Sequence, residues 1–167
     1  MSKKSFMARC AATAAITVAA VLVPATQASA YITYSEDQCS SSTRCFAIIY
    51  NSTQSSGTFH SACFLTNKTE DSHTGYNYLT SSGMQEIRYQ FGYDMGISLP
   101  NGSSCRWTEG SGQGVKNNAA GGSNGDSRSH RIYYNSNQSG AYQTIEADHN
   151  ENLISSLKNE NASSARL

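Results

Sequence analysis

Charge, proline and tryptophan are all scarce in this chain. Only 14% of its 167 residues are charged, it has two prolines and one tryptophan, and nowhere do Lys and Arg gather into a stripe. All 12 acidic residues fall after residue 30, where nine Lys and Arg oppose them, so that part carries a net charge of −3. Such a surface excludes nucleic acid held by phosphate contacts and offers nothing to anionic lipid. Catalytic signatures are missing too. There is no G-x-S-x-G around any serine, and the four histidines (His60, His73, His130, His149) are not in HExxH spacing. The carboxylates are scattered, with no evident glycosidase pair. Beyond residue 30 no apolar run is long enough to span a bilayer.

The first 30 residues have a different character. Lys3, Lys4 and Arg9 precede an uncharged apolar run, Ala11 to Val23, and Ala28-Ser29-Ala30 supplies a small-x-small cleavage site. This pattern predicts a signal peptide over 1–30 and a secreted, extracellular chain from Tyr31, with no membrane association after cleavage. What remains has the size of one domain. Four cysteines follow the leader: Cys39, Cys45, Cys63 and Cys105. An even count in an oxidising compartment predicts two disulfides, and of the three pairings Cys39–Cys45 with Cys63–Cys105 is favoured. No CxxC pair supports a metal site instead.

Ser, Asn, Gly and Tyr dominate after residue 30, as in short strands joined by polar turns. One phrase occurs twice. IIYNSTQSSGTF, around residue 50, returns 84 residues later as IYYNSNQSGAY. Each copy leads on to a Lys-Asn turn, VKNNAAGGS at 115–123 and LKNENASS at 157–164. The repeat predicts a duplicated all-β unit: motif one over about 44–120 with an insertion at about 64–112, a flexible Gly-rich linker at 121–127, and motif two over about 128–167. Strand alternation puts Ile48, Tyr50, Ile132 and Tyr134 in the core.

A hairpin followed by an Asn-rich turn, given twice, resembles the βγ-crystallin-type double Greek key. Residues 45–62 and 113–167 are most similar to the secreted actinobacterial proteins of that fold, grouped with the microbial metalloproteinase-inhibitor family. The resemblance implies a small two-motif sandwich, a monomer, and a secreted protease as partner, a metalloprotease first. It also implies a possible calcium site in each turn, Asn117 and Asn118 in the first and Asn159, Ser163 and Ser164 in the second. Both depart from the family pattern: Gly121-Gly122 replace hydroxyls, and Glu160 stands at the second place. No cofactor is required.

An inhibitor needs a rigid exposed segment, and Cys63-Phe64-Leu65 is the first candidate: a disulfide would lock it, and thermolysin-type enzymes accept large apolar residues after the cut. The competing reading has Phe64 and Leu65 ending a core strand. A second candidate is 91–105, with Met95, Ile97 and Leu99 near Pro100. Tyr76, Tyr78, Tyr89 and Tyr93 could form an aromatic binding face or merely cover the core. His73, in EDSHTG, reads as part of a solvated polar loop, with a weak third reading as the base of a hydrolase.

Overall fold

The computed structural model describes residues 31–40 and 44–167, so the expected leader lies outside the described residues. The chain is all-β. Its strands run β1 Tyr31–Ser35, β2 Asp37–Gln38, β3 Phe46–Ile49, β4 Cys63–Thr66, β5 Gly75–Thr80, β6 Gly83–Tyr89, β7 Gly121–Asn124, β8 His130–Asn135, β9 Ser139–Ile145, β10 Asn150–Asn152 and β11 Ser163–Arg166. A turn of 3-10 helix at Pro100–Gly102 is the one helical element among the described residues. Three sheets result, ordered β1-β6-β5, β10-β7-β3-β4-β2 and β11-β8-β9.

Phe46-Ala47-Ile48-Ile49 is apolar at every position, which suits a strand covered on both faces. Phe46 and Ile48 join Phe64, Phe91, Ile132, Ile145 and Leu157 in one core. Ala47 and Ile49 face the other way, into a second core with Phe59, Leu65, Ile97, Leu99 and the Cys63–Cys105 bridge. Full burial of a side chain such as Phe64 contributes roughly 2–3 kcal/mol. The second bridge joins Cys39 to Cys45, so both pairings are those expected.

The repeat is visible in the hydrogen bonds. β7 lies antiparallel on β3 with Ile49 opposite Gly121, and β11 on β8 with Tyr133 opposite Ser163. The Asn117 N–H donates to the Asn161 carbonyl while the Asn159 N–H donates to the Ala119 carbonyl. Ala120 donates to Ile49 as Ala162 donates to Tyr133. Corresponding residues thus exchange places across a pseudo-twofold axis, beside which Phe46 and its counterpart His130 stack with centroids 4.6 Å apart. Each half also lends the other an edge: β10 adds to β7, and Glu70 bridges to Ser164 of β11.

Three expectations are corrected here. Residues 121–127 are not a flexible linker, because Gly121–Asn124 is a buried central strand. A Cβ on Gly121 would lie 2.2 Å from the Phe59 ring, and one on Gly122 would lie 2.4 Å from Ile145 Cδ1. These glycines make room for core side chains. Ile48 and Ile132 are core as expected, and Tyr50 packs against the core, but Tyr134 is exposed. Finally, the insertion begins after β4, since Phe64–Thr66 belong to that strand. The hairpins differ as well. β8 and β9 are joined through Asn137 and Gln138, both at positive φ as in a type I′ turn, whereas residues 50–62 form a wide loop between β3 and β4. Gly57 and Gly140, at equivalent places in the two copies, both adopt the left-handed conformation that glycine takes without strain.

Candidate functional site

Within the insertion, β5 and β6 form a hairpin that takes β1 alongside β6. Side chains alternate across it. The register puts Tyr31, Gln85 and Tyr78 in one row of one face and Thr33, Ile87 and Tyr76 in the next. This face carries no charge. The opposite face presents Ile32, Tyr34, Met84 and Leu79, with an ion pair between Arg88 and Glu86 at 2.7 Å. Seven of the thirteen exposed large apolar or aromatic side chains among the described residues sit on this one sheet, led by Leu79 at 77% and Tyr31 at 68% exposure. That concentration makes it the candidate interface.

The sheet is firmly held where it meets the body. Tyr89, at the inner end of β6, is buried against Phe64 and donates to Glu70 Oε2 at 2.7 Å. Burial and this bond push its phenol well above the usual tyrosine range. Glu70 also accepts from Thr66 Oγ1 at 2.8 Å. At the outer end, the tip Leu79–Met84 is braced by Thr80, whose hydroxyl donates to the Gly83 carbonyl and accepts from the Ser82 N–H. Among the described residues neither β1 nor β5 has a strand beyond it, and neither contains the charge or proline that natural edges commonly use to discourage pairing.

The Asn-rich turns build two concavities related by the pseudo-axis. The first is lined by Tyr50, Asn51, Ser52, Asn118, Lys158 and Asn159, the second by Tyr134, Asn135, Ser136, Glu160, Lys116 and Asn117. Asn117 and Asn159 both sit at positive φ, where asparagine is tolerated better than most residues. Charge distinguishes the pair. In the first, the Lys158 ammonium donates to Ser52 Oγ at 2.7 Å with no carboxylate among the lining residues. The second has a carboxylate, Glu160, on its wall as well as the Lys116 ammonium, with no ion pair between the two. Ser163 and Ser164 line neither concavity. Both are buried in β11, and Ser163 donates to the Asn135 carbonyl. The structure therefore brings together Asn118 and Asn159, leaves Asn117 in the other concavity, and sets both serines aside. Among the described residues no group of three His, Cys, Asp or Glu could hold a metal.

Cys63, Phe64 and Leu65 cannot be an inhibitory loop. They form β4 in the middle of the five-stranded sheet, buried at every position, because Phe64 fills one core and Leu65 the other. The 91–105 segment is not an apolar tip either: Ile97 and Leu99 are buried in the second core, leaving Tyr93 as its exposed large side chain. His73 is fully buried rather than in a solvated loop, tied through its backbone N–H to the Ala162 carbonyl. Sequence reasoning picked out Tyr76 and Tyr78 but missed Leu79 and Met84, whose place opposite each other at a tip only the register reveals. Among the described residues, no helix is long and apolar enough to cross a membrane. No protein family, curated protein or solved structure matches this chain.

Proposed function

We propose that this is a secreted inhibitor of an extracellular peptidase, a metallopeptidase first, which presents the β1-β6-β5 sheet to its target and the Leu79–Met84 tip to the cleft. The concentration of exposed apolar side chains on that sheet carries the reading. An extended edge can pair with another backbone, which is how strand addition gives affinity, and a hairpin already fixed by Thr80 loses little entropy on docking. Leu79 is the large apolar side chain such a cleft would take. Two disulfides suit an oxidising, extracellular setting. The paired halves and exchanged edges support reading the body as a duplicated Greek-key sandwich, with the sheet as its insertion.

Titration into a thermolysin-like enzyme should give inhibition at nanomolar to low micromolar concentration. Leu79→Asp should then weaken inhibition at least about tenfold, equivalent to about 1.4 kcal/mol, without lowering Tm, because the side chain is exposed. Intact activity of metallo-, serine and cysteine peptidases in excess inhibitor would remove this reading.

A second reading, a calcium-stabilised binding module, is favoured by the twin concavities. Hard cations want oxygen shells, and the two sites are not equal. Each has a lysine on its wall, Lys158 in the first and Lys116 in the second, but only the second adds a carboxylate, Glu160, so any calcium taken up belongs there. Calcium at millimolar concentration should raise Tm by mass action on the folded state, and Glu160→Gln should abolish the rise. A Tm indifferent to calcium in the unaltered protein leaves the turns purely structural.

A further inference from the structure

Behind the sheet, on the side of Arg88, lies a cavity of about 340 Å³ that neither reading above uses. The ring of His73 forms part of its wall, and that side chain is wholly buried. Its protonation follows from its neighbour. Asn161 Oδ1 accepts from the Ala119 N–H, so the other end of this amide is the donor. That Nδ2 donates both to the Val115 carbonyl and, at 2.8 Å, to His73 Nδ1. Nδ1 is therefore the bare nitrogen and the proton sits on Nε2. Burial, with Lys116 nearby, lowers the His73 pKa to about 3, so the ring is neutral at physiological pH. Nε2–H has no acceptor among the described residues.

A second donor lacks a partner close by. The ammonium of Lys116, also on the wall, makes no hydrogen bond or ion pair among the described residues. At the mouth Arg88 is matched by Glu86, so Lys116 leaves the cavity with one excess positive charge. The remaining wall is largely apolar, with Val115 inside and Tyr34 at the rim. Lys116 reaches solvent, but a buried donor without an acceptor, as at His73 Nε2, is rare and costly in native proteins, and pockets of this size commonly hold small molecules.

We infer that this cavity binds a small organic carboxylate, its charge against Lys116, an oxygen within reach of His73 Nε2–H, and its apolar body between Val115 and Tyr34. A cation would meet Lys116, and a neutral amide would leave the ammonium unmatched. The carboxylate can belong to a free acid or to the C-terminus of a peptide. The inference does not depend on the peptidase reading.

The test uses the disulfide-bonded protein in calcium-free buffer, with N-acetylphenylalanine, its C-terminal amide, and a tripeptide ending in phenylalanine as probes. Long-range proton–nitrogen spectra follow the His73 imidazole. The free acid should shift His73 Nε2 saturably below about 10 mM, the range for a weak ligand of this size. The amide, and the acid on Lys116→Met, should each bind at least about tenfold more weakly. Lys116 is exposed, so this variant keeps its fold, and its amide spectrum checks that it has. Tighter binding of the tripeptide assigns the site to peptide C-termini, and weaker binding assigns it to free acids. Absence of a saturable His73 shift, equal binding of the amide, or full binding to Lys116→Met overturns the proposal and leaves His73 to buried water.

Discussion

Replacing Cys63 and Cys105 together by alanine is expected to lower stability by about 4 kcal/mol, the chain-entropy figure for a loop of this length. The bridge spans 42 residues of sequence and is buried in the second core beside Ile49, Phe59 and Leu65. What it holds explains why the effect should be local as well as global. Residues 91–105 have almost no ladder of their own: isolated bridges join Gly92 to Cys63 and Ser98 to Ser104, and one 3-10 turn follows Leu99. Without the bond, Ile97 and Leu99 lose the anchor that keeps them over β3 and β4, while the β11-β8-β9 sheet is untouched. Chemical denaturation should show the loss, Tm should fall by on the order of 10–20 °C, and amide exchange should rise first in 91–105. Opening Cys39–Cys45, which closes only a short loop, should cost about 2 kcal/mol. A double variant within 1 kcal/mol of the parent would mean that the second core orders this segment unaided.

The second large effect belongs to Asp126. Its buried carboxylate accepts from Arg166 Nη2 at 3.0 Å and Nε at 2.5 Å, and from His130 Nε2 at 3.0 Å. Burial pushes this acid up, but the bonds from Arg166, His130 and the Ser127 N–H outweigh it and hold the carboxyl well below the usual range. Asp126→Ala strands a buried imidazole donor and a half-covered guanidinium together, for a loss of about 3 kcal/mol. The buried histidines, His130 in this network and His73 outside it, give the protein a direction on the pH axis. His73 titrates near 3 in the folded state and near 6.5 once unfolded, and burial also lowers His130. The unfolded chain therefore binds more protons between these values, and stability falls as pH drops through that window. His73 alone should remove about 2 kcal/mol between pH 7 and 5. Below that, Asp126 adds its own loss as the solution passes the ordinary aspartate range. Denaturation curves at pH 7, 6 and 5 measure the slope, and a flat profile would show that the histidines charge without unfolding.

How much of this was legible in the sequence depended on the range of the interaction. All-β character follows from local composition, and the disulfide partners follow from an even count and spacing. The repeat is written in the letters themselves. Gly121–Asn124 misled because glycine next to serine and asparagine has the composition of a tether, while its structural role is set by Phe59 and Ile145 approaching from elsewhere in the chain. His73 misled for the same reason. EDSHTG is polar, yet the residue that bonds its buried Nδ1 is Asn161, 88 positions later. Phe64 and Leu65 were apolar enough for a cleft or a core, and only the pairing of β4 between β3 and β2 decides between them. Leu79 and Met84 reverse the case: two apolar residues that read as core material but lie exposed, paired with each other at a hairpin tip.

The exchange of edges between the halves follows the logic of a symmetric dimer. The bonds from Asn117 to Asn161 and from Asn159 to Ala119 are what two identical chains would make across a true twofold axis. One polypeptide thus has the bonding pattern of a symmetric homodimer. The halves are nonetheless unequal, with a wide loop, a disulfide and an aromatic sheet in one and a three-residue turn in the other, so the two offer a partner different surfaces.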